Sequence, residues 1–103
     1  MKKKKVFIAC DTTNLKIIKK IISHTKNSKL DIGYKFGLEF FYSKKGRSFI
    51  SQMKVKNLWL DLKILDIPNT SSASIKSIRD LKNISYITTH VSGGLEMLKA
   101  IKK

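Results

Sequence analysis

Short apolar runs and stretches of helical spacing alternate along the whole chain. Val6-Phe7-Ile8-Ala9-Cys10-Asp11 is a compact apolar run ending in a carboxylate, and it reads as a buried strand. Leu15, Ile18, Ile21 and Ile22 then recur on one helix face, with Thr12 or Thr13 placed to cap that helix. Asp31-Ile32-Gly33-Tyr34-Lys35-Phe36 predicts a second strand, stopped by Gly37. Phe40 and Phe41, then Phe49, Ile50 and Met53, mark helical segments broken between Ser43 and Gly46. Leu58 to Ile64 predicts a third strand. Beyond it lies the only proline, Pro68, with Asn69 or Thr70 placed to cap a helix carrying Ile75, Ile78 and Leu81. Ile84 to Val91 predicts a fourth strand, and Ser92-Gly93-Gly94 opens a last helix with Leu95, Leu98 and Ile101.

Strands and helices alternating at this spacing imply βαβ units and a parallel sheet. Four such units suit either half of a (β/α)8 TIM barrel or a small open α/β sheet. A complete barrel takes about 200 to 250 residues, so a chain of 103 residues is about half of one. The expectation is a single unit, residues 1–103, truncated relative to a whole barrel.

Hydrophobic residues make up 42% of the chain, enough for a packed core. Cys10 is the only cysteine, which excludes an internal disulfide and a multi-cysteine zinc site and fits a reducing cytoplasm. The basic start, Met1 to Lys5, precedes an apolar run too short for a signal peptide, and no run has membrane-spanning length. A net charge of +15 raises the idea of a nucleic-acid partner. Its placement argues against one, because lysines are spread along the chain and arginine occurs only at Arg47 and Arg79.

The third strand carries the chemistry. Side chains alternate between strand faces, so Leu58, Leu60, Leu62 and Ile64 share one face while Trp59, Asp61 and Lys63 share the other. Two charges on the inner face of a parallel sheet need each other or a ligand. Asp66 follows just past the strand end, where parallel α/β folds place their active sites. For the bare spacing D-x-K-x-x-D, a buried structural ion pair between Asp61 and Lys63, with Asp66 capping a turn, is the favoured reading, and by itself that spacing is weak.

The longer string Asp61-Leu62-Lys63-Ile64-Leu65-Asp66-Ile67-Pro68-Asn69-Thr70 resembles the D-x-K-x-x-D-I-P-N-T run of orotidine 5'-monophosphate (OMP) decarboxylases. Further matches fall in order: Asp11 at the end of the first strand, Tyr34-Lys35-Phe36-Gly37 at the second, Gly46-Arg47 in the second helical region and His90-Val91-Ser92-Gly93-Gly94 after the fourth. The resemblance covers essentially the whole chain and implies the N-terminal half of that family's barrel. It further implies a cofactor-free conversion of OMP to UMP and carbon dioxide. Lys63 is then the proton donor to C6, Asp61 lies beside the departing carboxylate, and Lys35 bridges the ribose and Asp61. Asp11 holds the nucleoside, and Ile67, Pro68 and Asn69 lie against substrate. Asp66 and Thr70 reach into a neighbouring subunit's site, which implies a homodimer with shared active sites. The family's glycine-arginine phosphate grip, its glutamine loop and a hydroxyl residue near the base belong to later strands, so the chain alone is expected to be inactive. No metal, membrane or nucleic acid is implied.

The chemistry agrees with these roles. Loss of carbon dioxide leaves a carbanion at C6, and a fixed ammonium is its natural stabiliser and acid. Carboxylates beside a lysine favour its charged form. His90 reads as a structural hydrogen-bonding residue, His24 as solvated and Cys10 as a small core residue. Ser92-Gly93-Gly94 reads as a tight strand-to-helix turn. The reading from another class is a non-catalytic α/β binding or interaction module.

Overall fold

A computed structural model describes residues 4–55 and 57–102. Four strands, β1 (Lys5–Ala9), β2 (Asp31–Gly37), β3 (Leu58–Ile64) and β4 (Ile84–Thr89), alternate with helices α1 (Leu15–Thr25), α2 (Leu38–Phe41), α3 (Gly46–Gln52), α4 (Pro68–Ser77) and α5 (Leu95–Lys102). A 3-10 turn, Val91–Gly93, joins β4 to α5. The strands form one parallel sheet in the order β1-β2-β3-β4. A doubly wound sheet reverses direction partway through its strand order. Here every strand instead pairs with its predecessor, the winding of a barrel segment.

The core lies between one sheet face and the helices. Tyr34 and Phe36 of β2 and Leu58 and Leu60 of β3 pack against Ile18 of α1, Phe40 and Phe41 of α2, and Ile50 of α3. Tyr34 keeps its hydroxyl satisfied there through a 2.6 Å hydrogen bond with Thr25 Oγ1. Gly46 is forced by proximity, because a Cβ at that position would stand 1.7 Å from the Phe40 carbonyl oxygen. Arg47, on the next residue, clamps α3 to the segment after α4 through paired hydrogen bonds to Asp80 of 2.7 and 3.1 Å and one to the Ser77 carbonyl.

The opposite sheet face has its own layer of side chains. Phe7 meets Trp59 and Tyr86 edge-to-face, with ring centroids 5.5 and 5.4 Å away. It lies across Gly33, where a Cβ would be 2.5 Å from the Phe7 ring. A cavity of about 300 Å³ opens beside this cluster, lined by Phe7, Trp59, Tyr86, Ile87 and Thr88, all strand residues. Trp59 Nε1 is buried there without an acceptor among the described residues.

Several local expectations change. The first strand ends at Ala9, and it is a half-exposed edge strand with Val6 39% accessible. Asn14, and neither Thr12 nor Thr13, caps α1: its Oδ1 accepts from the Lys16 and Ile17 amides, while Thr12 Oγ1 accepts from Asn14 N. Asn69 and Thr70 do not cap α4, which starts at Pro68 with Ile67 as its N-cap. Proline suits that first position, since its missing N–H would have no helical partner there. The helix stops at Ser77, leaving Ile78 and Leu81 buried beyond it. In α5 the buried residue is Met97, whereas Leu95 is exposed.

Candidate active site

Parallel strands deliver their C-terminal ends to one rim of the sheet, and the charged residues gather near that rim. Lys35 of β2 and Asp61 of β3 lie on the face opposite the main core. A straight strand would continue the alternation through Lys63, but β3 advances four residues from Leu60 to Ile64 while β4 advances two, from Ile87 to Thr89. This bulge puts Lys63 at φ 51°, a left-handed backbone that residues with a Cβ rarely adopt. Bulges near active sites re-aim side chains. Here the Lys63 ammonium folds back onto its own strand, with Nζ donating to Asp61 Oδ2 at 2.6 Å.

Asp61 is the hub. Its Oδ2 also faces Lys35 Nζ at 3.7 Å, and its Oδ1 accepts from Thr88 Oγ1 of β4 at 2.6 Å. The bond from Lys63 is the main cause that holds the Asp61 carboxyl below its ordinary range, followed by the bond from Thr88. Burial opposes them, and the positive charges of Lys63 and Lys35 add to the lowering. Lys35 Nζ stands 5.6 Å from the centroid of the Trp59 ring, a cation–π contact that anchors the second lysine from below. Asp61 is closely wrapped, whereas the Lys63 side chain keeps 54% of its surface accessible and can meet a ligand.

Lys35, Asp61 and Lys63 therefore meet in one network. Asp66 does not join them. It is exposed beyond β3, and its Oδ1 accepts from the Ile67 amide at 2.8 Å. Ile67, the N-cap, and Pro68, Asn69 and Thr70 of the first turn of α4 follow, all exposed, and Ser71 behind them is buried and donates to the Asp66 carbonyl. Asp11 lies two residues past β1 on a separate small cavity of about 220 Å³, with Cys10, Thr12, Gly37, Leu38, Glu39 and Phe40. Cys10 is buried, and burial, with a smaller push from the Asp11 charge, raises its thiol to about 11. His90 is exposed at the β4 rim, where its backbone N–H donates to the Ile64 carbonyl. Among the described residues no three His, Cys, Asp or Glu side chains come together as a metal site, and no helix is long and apolar enough to cross a membrane.

Thr88 is the residue that motif reading missed. A threonine in a strand looks like ordinary β-propensity. The usable signal was period two: Tyr86 and Thr88 share a face, and β4 pairs with β3.

The family model for "Orotidine 5'-phosphate decarboxylase / HUMPS family" matches residues 4–103. Among curated relatives, an orotidine 5'-phosphate decarboxylase of Oenococcus oeni is 40% identical over 103 residues, covering 94% of this chain and 42% of the relative. One from Fusobacterium nucleatum is 37% identical, covering 98% of this chain and 42% of the relative. One from Bacillus cytotoxicus is 33% identical, covering 94% and 40%. This chain thus spans about two-fifths of the length of the relatives it matches. No solved structure matches significantly. A parallel, sequentially wound α/β unit with an Asp–Lys hub at its carboxyl rim, matched over nearly all its length, belongs to the orotidine 5'-phosphate decarboxylase / HUMPS family.

Proposed function

We propose that residues 1–103 are the N-terminal half of an OMP decarboxylase barrel, and that the whole barrel acts on OMP in the cytoplasm without a cofactor. The observation that carries this reading is the Asp61 hub, with a reachable Lys63 ammonium 2.6 Å from one oxygen. In the reaction the bond from C6 to the carboxylate carbon breaks, and its electron pair stays on C6 as carbon dioxide leaves. Lys63 Nζ then gives its proton to C6, completing UMP and leaving a neutral amine. Asp61 holds that ammonium in place and presents negative charge beside the departing carboxylate, and Lys35, facing the same Oδ2, offsets that charge. Asp11 binds the nucleoside, and Ile67, Pro68 and Asn69 line the substrate.

Asp66 and Thr70 complete the site of a second subunit in a homodimer. Support for this comes from their exposure beyond the strand and from the absence of Asp66 from its own chain's hub.

The test is a chimera joining this chain to the portion of the Oenococcus oeni relative that it does not match, assayed by OMP absorbance. The chimera should turn over, and Lys63→Ala should cost at least about a hundredfold, the scale of a lost general acid. A folded chimera without turnover, or one indifferent to Lys63→Ala, refutes the assignment.

A further inference from the structure

A threonine hydroxyl has one proton to give and lone pairs to receive with. Thr88 uses both at the hub. Its proton goes to Asp61 Oδ1 at 2.6 Å, and its oxygen accepts the backbone N–H of Lys63 at 3.0 Å. The second bond matters because of the bulge. Where β3 runs four residues against two of β4, regular ladder pairing lapses, and Lys63 sits in a left-handed conformation. The Thr88 side chain supplies the acceptor that a ladder carbonyl would otherwise offer. Both oxygens of Asp61 are then fixed, Oδ1 by Thr88 and Oδ2 by Lys63 and Lys35.

We propose that Thr88 is a positioning residue whose single hydroxyl locks the Asp61 carboxylate to the bulged backbone of Lys63, setting the angle at which the lysine is presented. The inference rests on the reading of Lys63 and Asp61 as the reacting pair. Its physical content is a closed ring: Lys63 N–H donates to Thr88 Oγ1, Thr88 O–H donates to Asp61 Oδ1, and Lys63 Nζ closes the ring by donating to Asp61 Oδ2. With the hydroxyl removed, the carboxylate is held at Oδ2 alone and the left-handed residue only by its neighbours. The ionisable groups facing Asp61 are Lys35 from β2 and Lys63 from β3; β4 contributes the neutral Thr88.

NMR on the 103-residue chain tests this with Thr88→Val, which keeps the shape without the hydroxyl, and Thr88→Ser, which keeps the hydroxyl without the methyl. In the valine variant the Lys63 amide should exchange about fivefold to tenfold faster, the loss expected for one hydrogen bond. The Asp61 carboxyl carbon should titrate at higher pH, and serine should restore both readouts. Unchanged readouts in the valine variant, or a serine variant as impaired as valine, would overturn the proposal. Should the valine variant not fold, the wild-type spectrum decides. A slowly exchanging Thr88 hydroxyl proton close to the Lys63 amide supports the ring, and a freely exchanging one refutes it. None of these measurements needs substrate. In the chimera, Thr88→Val should lower kcat more than it raises KM. A chimera without turnover would count against the proposed activity and leave the NMR result standing.

Discussion

Replacing Asp61 with asparagine would put an amide where the structure has a carboxylate serving two lysines. The amide can still accept from Thr88, but its NH2 would face Lys63 and Lys35, so two ammonium groups lose their counter-charge. Removing one partner of a buried pair costs about 3–5 kcal/mol in general. Lys63 is half accessible here and Lys35 a quarter, so water reclaims part of that, and a cost of about 2 kcal/mol follows after discounting for exposure. The cost must depend on pH. Asp61 has a depressed folded pKa, so its stabilisation is fully present above the ordinary carboxylate pKa of about 4. It disappears as pH falls through the lower folded value, where the wild type carries a neutral side chain too. Urea unfolding of both proteins should show a midpoint difference of about 1 M at neutral pH, constant down to pH 5 and shrinking in acid. A difference that stays constant into strong acid, or none at neutral pH, would refute the account of Asp61 as a charge hub.

Further outcomes follow from other parts of the molecule. Gly46→Ala should destabilise the chain by about 3 kcal/mol, because its Cβ meets the Phe40 backbone, while Gly37→Ala, with open space at its Cβ, should be tolerated; thermal melts compare them. Cys10 should react with a disulfide reagent at pH 8 about a hundredfold more slowly in the folded chain than in urea, since its thiol is raised from 9.0 to about 11 and buried. Mixing Lys63→Ala and Asp66→Asn versions of the chimera should recover part of the activity through hybrid dimers, and no recovery after verified subunit exchange would show that each site is built from one chain. The 103-residue chain by itself should show no OMP turnover, because both edges of its sheet, β1 and β4, are open and its aromatic face is uncovered; turnover by a monodisperse monomer would show that four βα units suffice.

What could be read from residues alone was whatever repeats. Apolar periodicity located all four strands, and alternation in Leu58 to Ile64 put Trp59 and Asp61 on the face opposite Leu58 and Leu60. Competition among similar residues was harder to read. Thr12, Thr13 and Asn14 are all good caps, and the winner depends on where the chain leaves β1. Asn69 and Thr70 looked like caps, yet Pro68 already fits the first helical turn. Met97, taking the buried place in α5, reflects how its side chain lies over Gly93, a tertiary fact. The bulge at Lys63 was hidden for the same reason. Nothing in Leu62-Lys63-Ile64 asks for a left-handed residue, and only the pairing of β3 with β4 imposes it.

The strand order has a consequence for how the chain is made. Because β2 pairs with β1, β3 with β2 and β4 with β3, no strand has to wait for a later one before finding its neighbour. Each new βα unit can dock on the edge left by the unit before it, in the order in which a ribosome releases them. Loop closure is then limited to one crossover at a time, which keeps the entropic cost of each step small. The charged hub is the exception to this piecewise assembly. Lys35 and Asp61 are in place once three strands have formed, but the bulge that aims Lys63, and Thr88 itself, arrive with the fourth. The Asp61 carboxylate therefore acquires its last hydrogen bond only when β4 docks, so the hub reports on the arrival of the fourth strand.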